Sequence, residues 1–207
     1  KVPAIVNFAV LKLPRLSNFT DFSALSRVPG VGVSYAARPE QLSGADLIIL
    51  PGTKSTLADL RWLRESGMEA QILKAHAAGT PVFGICGGYQ MLGETLSDPH
   101  GVENGGSMKG MGLLPMETVF AEKKTRTRVQ GHFGELSGVF APLSGAEVEG
   151  YEIHMGETIL DEHASGLVTI ENDSDTLQQG HPDGSQKENV YGCYVHGIFD
   201  SPEMSGG

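Results

Sequence analysis

The residues best suited to do chemistry lie around Cys86, in the stretch Pro-Val-Phe-Gly-Ile-Cys-Gly-Gly-Tyr-Gln at 81–90. The apolar residues before the cysteine predict a buried strand, and residues 89–92 predict the first turn of a helix. Glycines on both sides leave room for a nucleophile on a tight corner, because they carry no Cβ atoms. A sulfur at the N-terminus of a helix is favoured as the thiolate. The spacing therefore predicts a nucleophilic cysteine on a strand-to-helix elbow.

A nucleophilic cysteine needs a base, and His196 is the first candidate among seven histidines. It follows the strand-like run 191–195, and sites in open α/β sheets are built at strand ends. A histidine without a role fits the same spacing. His154 is the second candidate, either for a substrate contact or for a structural hydrogen bond. We expect the other histidines to be solvated or structural, and Cys193 to be a small buried residue within a strand.

A thiol–imidazole pair supports attack on an acyl carbon, and the resulting oxyanion then needs hydrogen-bond donors. The backbone N–H of Gly87 is one candidate donor. Gly52, which follows the apolar run 47–50, is another. Pro51-Gly52-Thr53 also fits a plain strand–helix turn. The following Lys-Ser-Thr lacks the glycine that a phosphate-binding P-loop requires.

The elements that must position these residues change in character near Gly93. Before it, strand-like and helix-like stretches alternate, which predicts a parallel sheet with crossover helices. Leu47–Leu50 is wholly apolar, as in a central strand buried on both faces, and Ser55 or Thr56 is expected to cap the next helix. After Gly93 we expect a mobile loop over 100–112 and then antiparallel strands.

Size and charge limit the possible partners. A chain of 207 residues suits one domain of moderate size, which we place at 1–207. The net charge of −10 argues against nucleic-acid and anionic-membrane surfaces, and no apolar stretch approaches the length of a membrane span. Two cysteines make no disulfide framework, which favours a reducing cytoplasm. Because the chain starts at Lys1 and runs straight into an apolar stretch, we expect a fragment of a longer protein.

The elbow resembles the nucleophile motif Gly-x-Cys-x-Gly-x-Gln of class I glutamine amidotransferases, with all four elements present. These are Gly84, Cys86, Gly88 and Gln90. Further stretches resemble the subgroup that makes cobyrinic and cobyric acid amides, in the same order along the chain. They are 13–22, 50–55, 150–156 and 194–200.

The resemblance implies a flavodoxin-like α/β fold, with a mostly parallel central sheet flanked by helices and an added antiparallel part. Cys86 would attack glutamine to give a γ-glutamyl thioester and ammonia, with His196 as the base. Gly52 and Gly87 would hold the oxyanion, and Gln90 would contact bound glutamine. The domain itself would need no cofactor or metal. An absent N-terminal synthetase domain would use ATP and Mg²⁺ to amidate four carboxylates of a corrinoid, adenosylcobyrinic acid a,c-diamide.

The position two residues after His196 departs from the family pattern. The binding of the α-carboxylate of glutamine by arginine is our own hypothesis. Many class I members carry an acid two residues after the histidine, where this chain has Ile198; Asp200, Glu152 and Glu157 are substitute candidates. The α-carboxylate of glutamine suits a bidentate cation, and the run Lys-Lys-Thr-Arg-Thr-Arg at 123–128 supplies Arg126 and Arg128. A solvated charge run is the plainer interpretation of the same residues.

Three alternatives remain open on the sequence. The sister amidotransferases, which act on the a and c carboxylates or on lipid precursors of the cell wall, share the elbow and the histidine. A cysteine hydrolase or peptidase on the same elbow would act without preference for glutamine. The third alternative is a regulatory or binding module with an inactive site. The presence of Cys86, Gly88, Gln90 and His196 together argues against it, because an inactive site does not need all four.

Overall fold

The structure is a computed structural model, and it describes residues 6–17, 22, 25–136, 138–161, 166–173 and 181–196. For 123–128, 139, 151–155, 171–173, 181–182 and 196 it describes the backbone alone. The predicted site residues Arg126, Arg128, His154 and His196 belong to this second group.

The first sheet is built by the alternating strands and helices of the N-terminal part and completed by strands from near the C-terminal end. Its strands are β1 (Val6–Leu11), β2 (Val31–Ala36), β3 (Leu47–Leu50), β4 (Val82–Ile85), β11 (Ser185–Lys187) and β12 (Val190–Cys193). Their order is β11-β12-β4-β3-β1-β2, and every neighbouring pair is parallel except β11–β12. The predicted parallel sheet is therefore present, and it pairs Cys193 of β12 with Ile85 of β4, although position 193 lies 108 residues after position 85.

The described residues of this part form three α-helices: α1 (Thr56–Glu65), α2 (Met68–Ala77) and the short α3 (Gly87–Met91). Leu57, Leu60 and Leu63 form the buried stripe of α1, as their spacing predicts. Among the described residues, no helix combines the length and the apolar character that a membrane crossing requires.

The second sheet is mostly antiparallel. Its strands are β5 (Thr95–Asp98), β6 (Gly106–Lys109), β7 (Met116–Phe133), β8 (Glu147–Leu160), β9 (Val168–Asp173), β10 (His181–Asp183) and β13 (Val195–His196). The path runs β10-β9-β7-β5-β6, and β8 pairs with both β7 and β13. The expectation of a mobile loop over 100–112 was wrong in part, because β6 pairs with β5 there. The predicted antiparallel strands are confirmed.

The core lies on both faces of the first sheet, and β3 shows why that strand is wholly apolar. Ile48 and Leu50 pack with the helices, whereas Leu47 and Ile49 point to the opposite face and pack with residues of β7, β8 and β9. Since side chains alternate along a strand, burial on both faces requires an apolar residue at every position. The sheet thus fixes the ends of β3, β4 and β12 relative to one another.

Candidate active site

Cys86 forms the corner between β4 and α3. Its backbone has φ 53° and ψ −113°, a positive φ that residues with a Cβ atom rarely adopt. The backbone N–H of Cys86 donates to the carbonyl of Cys193 at 2.9 Å, which ties the corner to β12. Cys86 is partly exposed, whereas Gly87 and Gly88 after it are buried. A strained backbone that presents a partly exposed sulfur is the geometry of a nucleophile elbow.

The close packing of the corner explains its glycines. A Cβ atom on Gly88 would lie 2.0 Å from the carbonyl oxygen of Leu50 at the end of β3. A Cβ atom on Gly84 would lie 2.7 Å from Cδ1 of Leu92. Real side chains do not approach so closely, so these positions accept only glycine without displacement of the backbone.

The turn after β3 contacts the elbow through Thr53. A Cβ atom on Gly87 would lie 2.6 Å from Cγ2 of Thr53 and 3.3 Å from its backbone nitrogen. The carbonyl of Gly52 points elsewhere, since it accepts from the N–H of Ser17 at 3.0 Å. Thr53 of this turn therefore lies against Gly87, and the oxyanion roles of Gly52 and Gly87 stay predictions.

Gln90 lies one helical turn after Cys86, to whose carbonyl its backbone N–H donates at 3.0 Å, and it is 2% exposed. Its Oε1 accepts from the hydroxyl of Thr56 at 3.1 Å, and its Nε2 donates to the hydroxyl of Tyr194 at 3.2 Å. The side chain therefore braces the start of α1 against the segment that leads into β13. Its predicted contact with glutamine stays a prediction.

Tyr194 connects this brace to the second sheet. Its hydroxyl also hydrogen-bonds to the hydroxyl of Thr158 on β8, and its ring stacks edge-on against Tyr89 at 5.2 Å. Burial raises the pKa of Tyr194 above its ordinary value; hydrogen bonds from Thr158 and Gln90 oppose this, and the nearby Cys86 adds to it. The phenol is therefore neutral at physiological pH and supplies one hydrogen-bond donor.

His196 ends β13, and the structure describes its backbone but not its side chain. Val195 and His196 pair with Glu152 and Tyr151 of β8. In the first sheet, Cys193 is the register partner of Ile85, the residue before Cys86. The chain that carries the predicted base thus leaves the sheet beside the strand that carries the predicted nucleophile.

The remaining predicted contacts lie on β7 and β8. Arg126 pairs with Ile153, and His154 pairs with Thr125, but the side chains of both predicted residues lie outside the described part. Arg128 pairs with Tyr151, which in turn pairs with His196. The backbone positions of Arg128, Tyr151 and His196 therefore form one row across three strands, a relationship that sequence spacing alone does not reveal.

Of the three candidate acids that could replace the missing triad acid, only Glu157 has a described side chain. Glu157 is exposed on β8. The side chain of Glu152 and the whole of Asp200 lie outside the described residues, as does Ile198. The orienting role of each stays a prediction.

Two acids that the sequence did not single out organise the approach to the corner. Glu103 accepts the backbone N–H groups of Thr56 and Leu57, so it caps α1, whereas Ser55 makes no side-chain cap. Asp98 accepts the N–H groups of Val102, Glu103 and Gly105 and so shapes the loop that carries the cap. Only the tertiary fold brings Glu103 to a helix 47 residues earlier in sequence.

The pKa values of Asp98 and Glu103 are shifted in opposite directions. Burial raises the pKa of Glu103, and the neighbouring Asp98 and Asp59 add to this against the two amide donors. For Asp98, burial also opposes ionisation, but its three amide donors outweigh that effect and lower the pKa. Among the described residues, no cluster of three His, Cys, Asp or Glu side chains is placed to hold a metal ion.

The fold and the elbow define a class of protein, the class I glutamine amidotransferases. PurLQS from Thermotoga maritima superposes with a TM-score of 0.67 at 20% identity, over 98% of this chain and 92% of that one. A solved glutamine amidotransferase superposes with a TM-score of 0.63 at 19% identity, over 95% and 94% of the two chains. At these identities the likeness shows the fold, which confirms the predicted fold class.

The sequence narrows the class to one family. The chain belongs to the CobB/CobQ-like glutamine amidotransferase domain family, whose profile matches residues 7–204. It is 54% identical over 200 residues to the cobyric acid synthase of Ruminiclostridium cellulolyticum, covering 97% of this chain. It is 48% identical to that of Lachnoclostridium phytofermentans and 49% identical to that of Salmonella heidelberg. The chain spans 39% of the length of each of these relatives.

Proposed function

We propose that this chain is the ammonia-releasing glutaminase domain of a cobyric acid synthase. The observation that carries the proposal is the elbow itself: Cys86 has a positive φ on a corner that faces the turn at Gly52 and Thr53. The family assignment and the identity to cobyric acid synthases support glutamine as the substrate.

In the proposed reaction, the thiolate of Cys86 attacks the side-chain amide carbon of glutamine. The carbonyl π electrons move to oxygen, and the backbone N–H groups of Gly52 and Gly87 stabilise the resulting oxyanion. His196 takes the thiol proton and gives it to the leaving nitrogen, so ammonia departs and a γ-glutamyl thioester remains. His196 then activates water, which attacks the thioester and releases glutamate and the thiol.

The row across β7, β8 and β13 favours Arg128 over Arg126 for glutamine binding. Arg128 shares a register row with His196, and Arg126 lies two residues farther along β7. A guanidinium binds the α-carboxylate of a free amino acid in two parallel hydrogen bonds. In this proposal Arg128 anchors the α-carboxylate and Arg126 is a secondary contact, whereas the contact of His154, which pairs with Thr125, stays a separate prediction. Alanine at Arg128 should raise the KM for glutamine more than alanine at Arg126; equal and unchanged KM values would contradict it.

The use of the ammonia belongs to the part of the relatives that this chain does not cover. We propose that a synthetase domain, with ATP and Mg²⁺, uses it to amidate the b, d, e and g carboxylates of adenosylcobyrinic acid a,c-diamide. The support is the name of the relatives and their length, of which this chain spans 39%.

The proposal is tested with a diazoketone analogue of glutamine and the full natural chain that contains these residues. Mass spectrometry should find one adduct on Cys86, and free glutamine should prevent it. Cys86→Ser should abolish both labelling and glutamate release, whereas Cys193→Ser serves as the matched control and should retain both. Labelling of Cys193, or turnover of peptides and esters in preference to glutamine, would overturn the proposal.

A further inference from the structure

The segment 13–17, here called the strap, runs alongside the turn after β3. Leu16 forms an isolated antiparallel bridge with Thr53. The N–H of Ser17 donates to the carbonyl of Gly52 at 3.0 Å, and the N–H of Lys54 donates to the carbonyl of Arg15 at 2.9 Å. These two bonds join the strap to the turn on both sides of Thr53. The strap, Leu-Pro-Arg-Leu-Ser, is the first half of the stretch 13–22 that resembles the family, and in the fold it supports this turn.

A buried carboxylate ties the strap, the turn and α1 together. Asp59 in the first turns of α1 is 0% exposed. It accepts from the hydroxyl of Thr53 at 2.6 Å, from the backbone N–H of Arg15 at 3.2 Å and from the Arg15 guanidinium at 3.1 Å. A buried charge is tolerated when it is paired in this way, and removal of one partner leaves the others unsatisfied.

The hydroxyl of Thr53 fixes the backbone of its own turn. While it donates to Asp59, it accepts from the N–H of Ser55 at 3.1 Å. The side chain is therefore held from two directions, which limits rotation of the peptide groups on either side of Thr53. We call the set of Arg15, Thr53 and Asp59 the clasp.

The strap and the clasp together determine which way the peptide between Gly52 and Thr53 faces, because the strap binds the carbonyl of Gly52 and the clasp holds the side chain of Thr53. In a trans peptide the carbonyl and the N–H point in opposite directions. The carbonyl of Gly52 is turned to Ser17, so the N–H of Thr53 points away from the strap. The Thr53 nitrogen lies 3.3 Å from the Cβ position of Gly87, and in the described part of the chain no acceptor binds this N–H.

We propose that the clasp is a positioning device for the oxyanion hole, and that it aims the N–H of Thr53, beside that of Gly52, at the carbonyl oxygen that becomes negatively charged when Cys86 attacks the carbon. This inference rests on the proposed glutaminase reaction. Donors of this kind act on charge that develops in the transition state, so they affect kcat more than substrate binding. Arg15 and Asp59 act through Thr53 and do not touch the substrate.

The test compares three variants of the full natural chain with the parent. Since loss of one oxyanion donor typically costs about 100-fold in kcat, Asp59→Asn and Thr53→Val should each lower kcat about 10- to 100-fold. The KM for glutamine should stay within about threefold in both. Thr53→Ser keeps the hydroxyl and should restore kcat to near the parent value. Asp46→Asn is the matched control, because Asp46 also accepts a backbone N–H, that of Asn7 at 2.7 Å, but in another loop.

A second readout separates positioning from a purely structural role. The γ-aldehyde of glutamate adds to a cysteine thiol to give a tetrahedral adduct, whereas glutamine binding before reaction does not use the oxyanion hole. The inhibition constant of the aldehyde should rise by the same factor as kcat/KM falls. Variants that lose thermal stability yet keep kcat and aldehyde affinity at a temperature where they are folded would overturn the inference while the glutaminase function stands. A parent enzyme without glutaminase activity would overturn both.

Discussion

The carboxylate of Asp183 holds the backbone of Tyr194, two residues before the predicted base. Both of its oxygens lie 3.1 Å from the Tyr194 nitrogen, and Oδ2 also accepts from the N–H of Val195 at 3.2 Å. Asp183 is 4% exposed, and the backbone N–H groups that it binds help to satisfy this buried carboxylate. A buried acid thus fixes the strand that ends at His196.

Asp183→Asn is expected to lower kcat and to destabilise the protein. An amide keeps one acceptor but presents an N–H₂ group to a second backbone N–H, and a lost charge-assisted hydrogen bond costs about 2 kcal/mol. Urea denaturation measures the free energy of unfolding, and steady-state assays give kcat and KM. Glu149→Gln, an exposed acid on β8 that accepts from Gln130, is the control. Equal kcat values for the two variants would contradict a positioning role for Asp183.

The sequence was sufficient where the controlling interactions are local or follow from strand periodicity. The elbow at Cys86, the fully apolar β3 and the leucine stripe of α1 each follow from neighbouring residues. It was insufficient where a polar side chain finds its partner across the fold. Glu103 replaces Ser55 as the cap of α1, and Asp183 binds residues 11 and 12 positions away across a strand connection. A lone acid in a polar stretch carries no periodic signal, so its partner is set by tertiary packing.

Tyr194→Phe is expected to weaken catalysis through Gln90. Without the hydroxyl, the buried Nε2 of Gln90 loses the Tyr194 acceptor, and Thr158 keeps Thr118 but loses its bond to Tyr194. An unsatisfied buried polar group costs about 1 to 3 kcal/mol, so we expect a loss of stability of that size and a lower kcat. Because Gln90 links Tyr194 to Thr56, a double-mutant cycle with Gln90→Leu should show coupling of more than about 0.5 kcal/mol. Strictly additive effects would disprove the brace.

Gly88→Ala is expected to destabilise the fold and to abolish labelling of Cys86. The added Cβ atom would meet the carbonyl of Leu50 at 2.0 Å, and backbone cannot move aside as a flexible side chain can. The cost should reach about 3 kcal/mol or more, at the upper end of overpacking effects. Gly134→Ala is the matched control, since its nearest contact would be 3.7 Å away. Thermal denaturation compares the two, and a similar melting temperature for both would contradict the close approach.

Asp98 and Glu103 are expected to give stability contributions with opposite dependence on pH. The pKa of Asp98 is lowered in the folded protein, so its contribution is present above the ordinary value of 3.8 and is lost as the pH falls through the lowered value. The pKa of Glu103 is raised, so its contribution is present below the ordinary value of 4.5 and is lost as the pH rises through the raised value.

Asp98→Asn and Glu103→Gln separate these two contributions, because each variant removes one titration. Relative to the parent, Asp98→Asn should become less stable as the pH increases from 3 towards 5. Over the range above 4.5, the free energy of unfolding of Glu103→Gln should instead rise relative to that of the parent as the pH increases. Urea denaturation at half-unit pH intervals measures both differences. The same trend in both variants would show that the two carboxyls titrate as one group, contrary to the opposite environments that the amide donors and burial create for them.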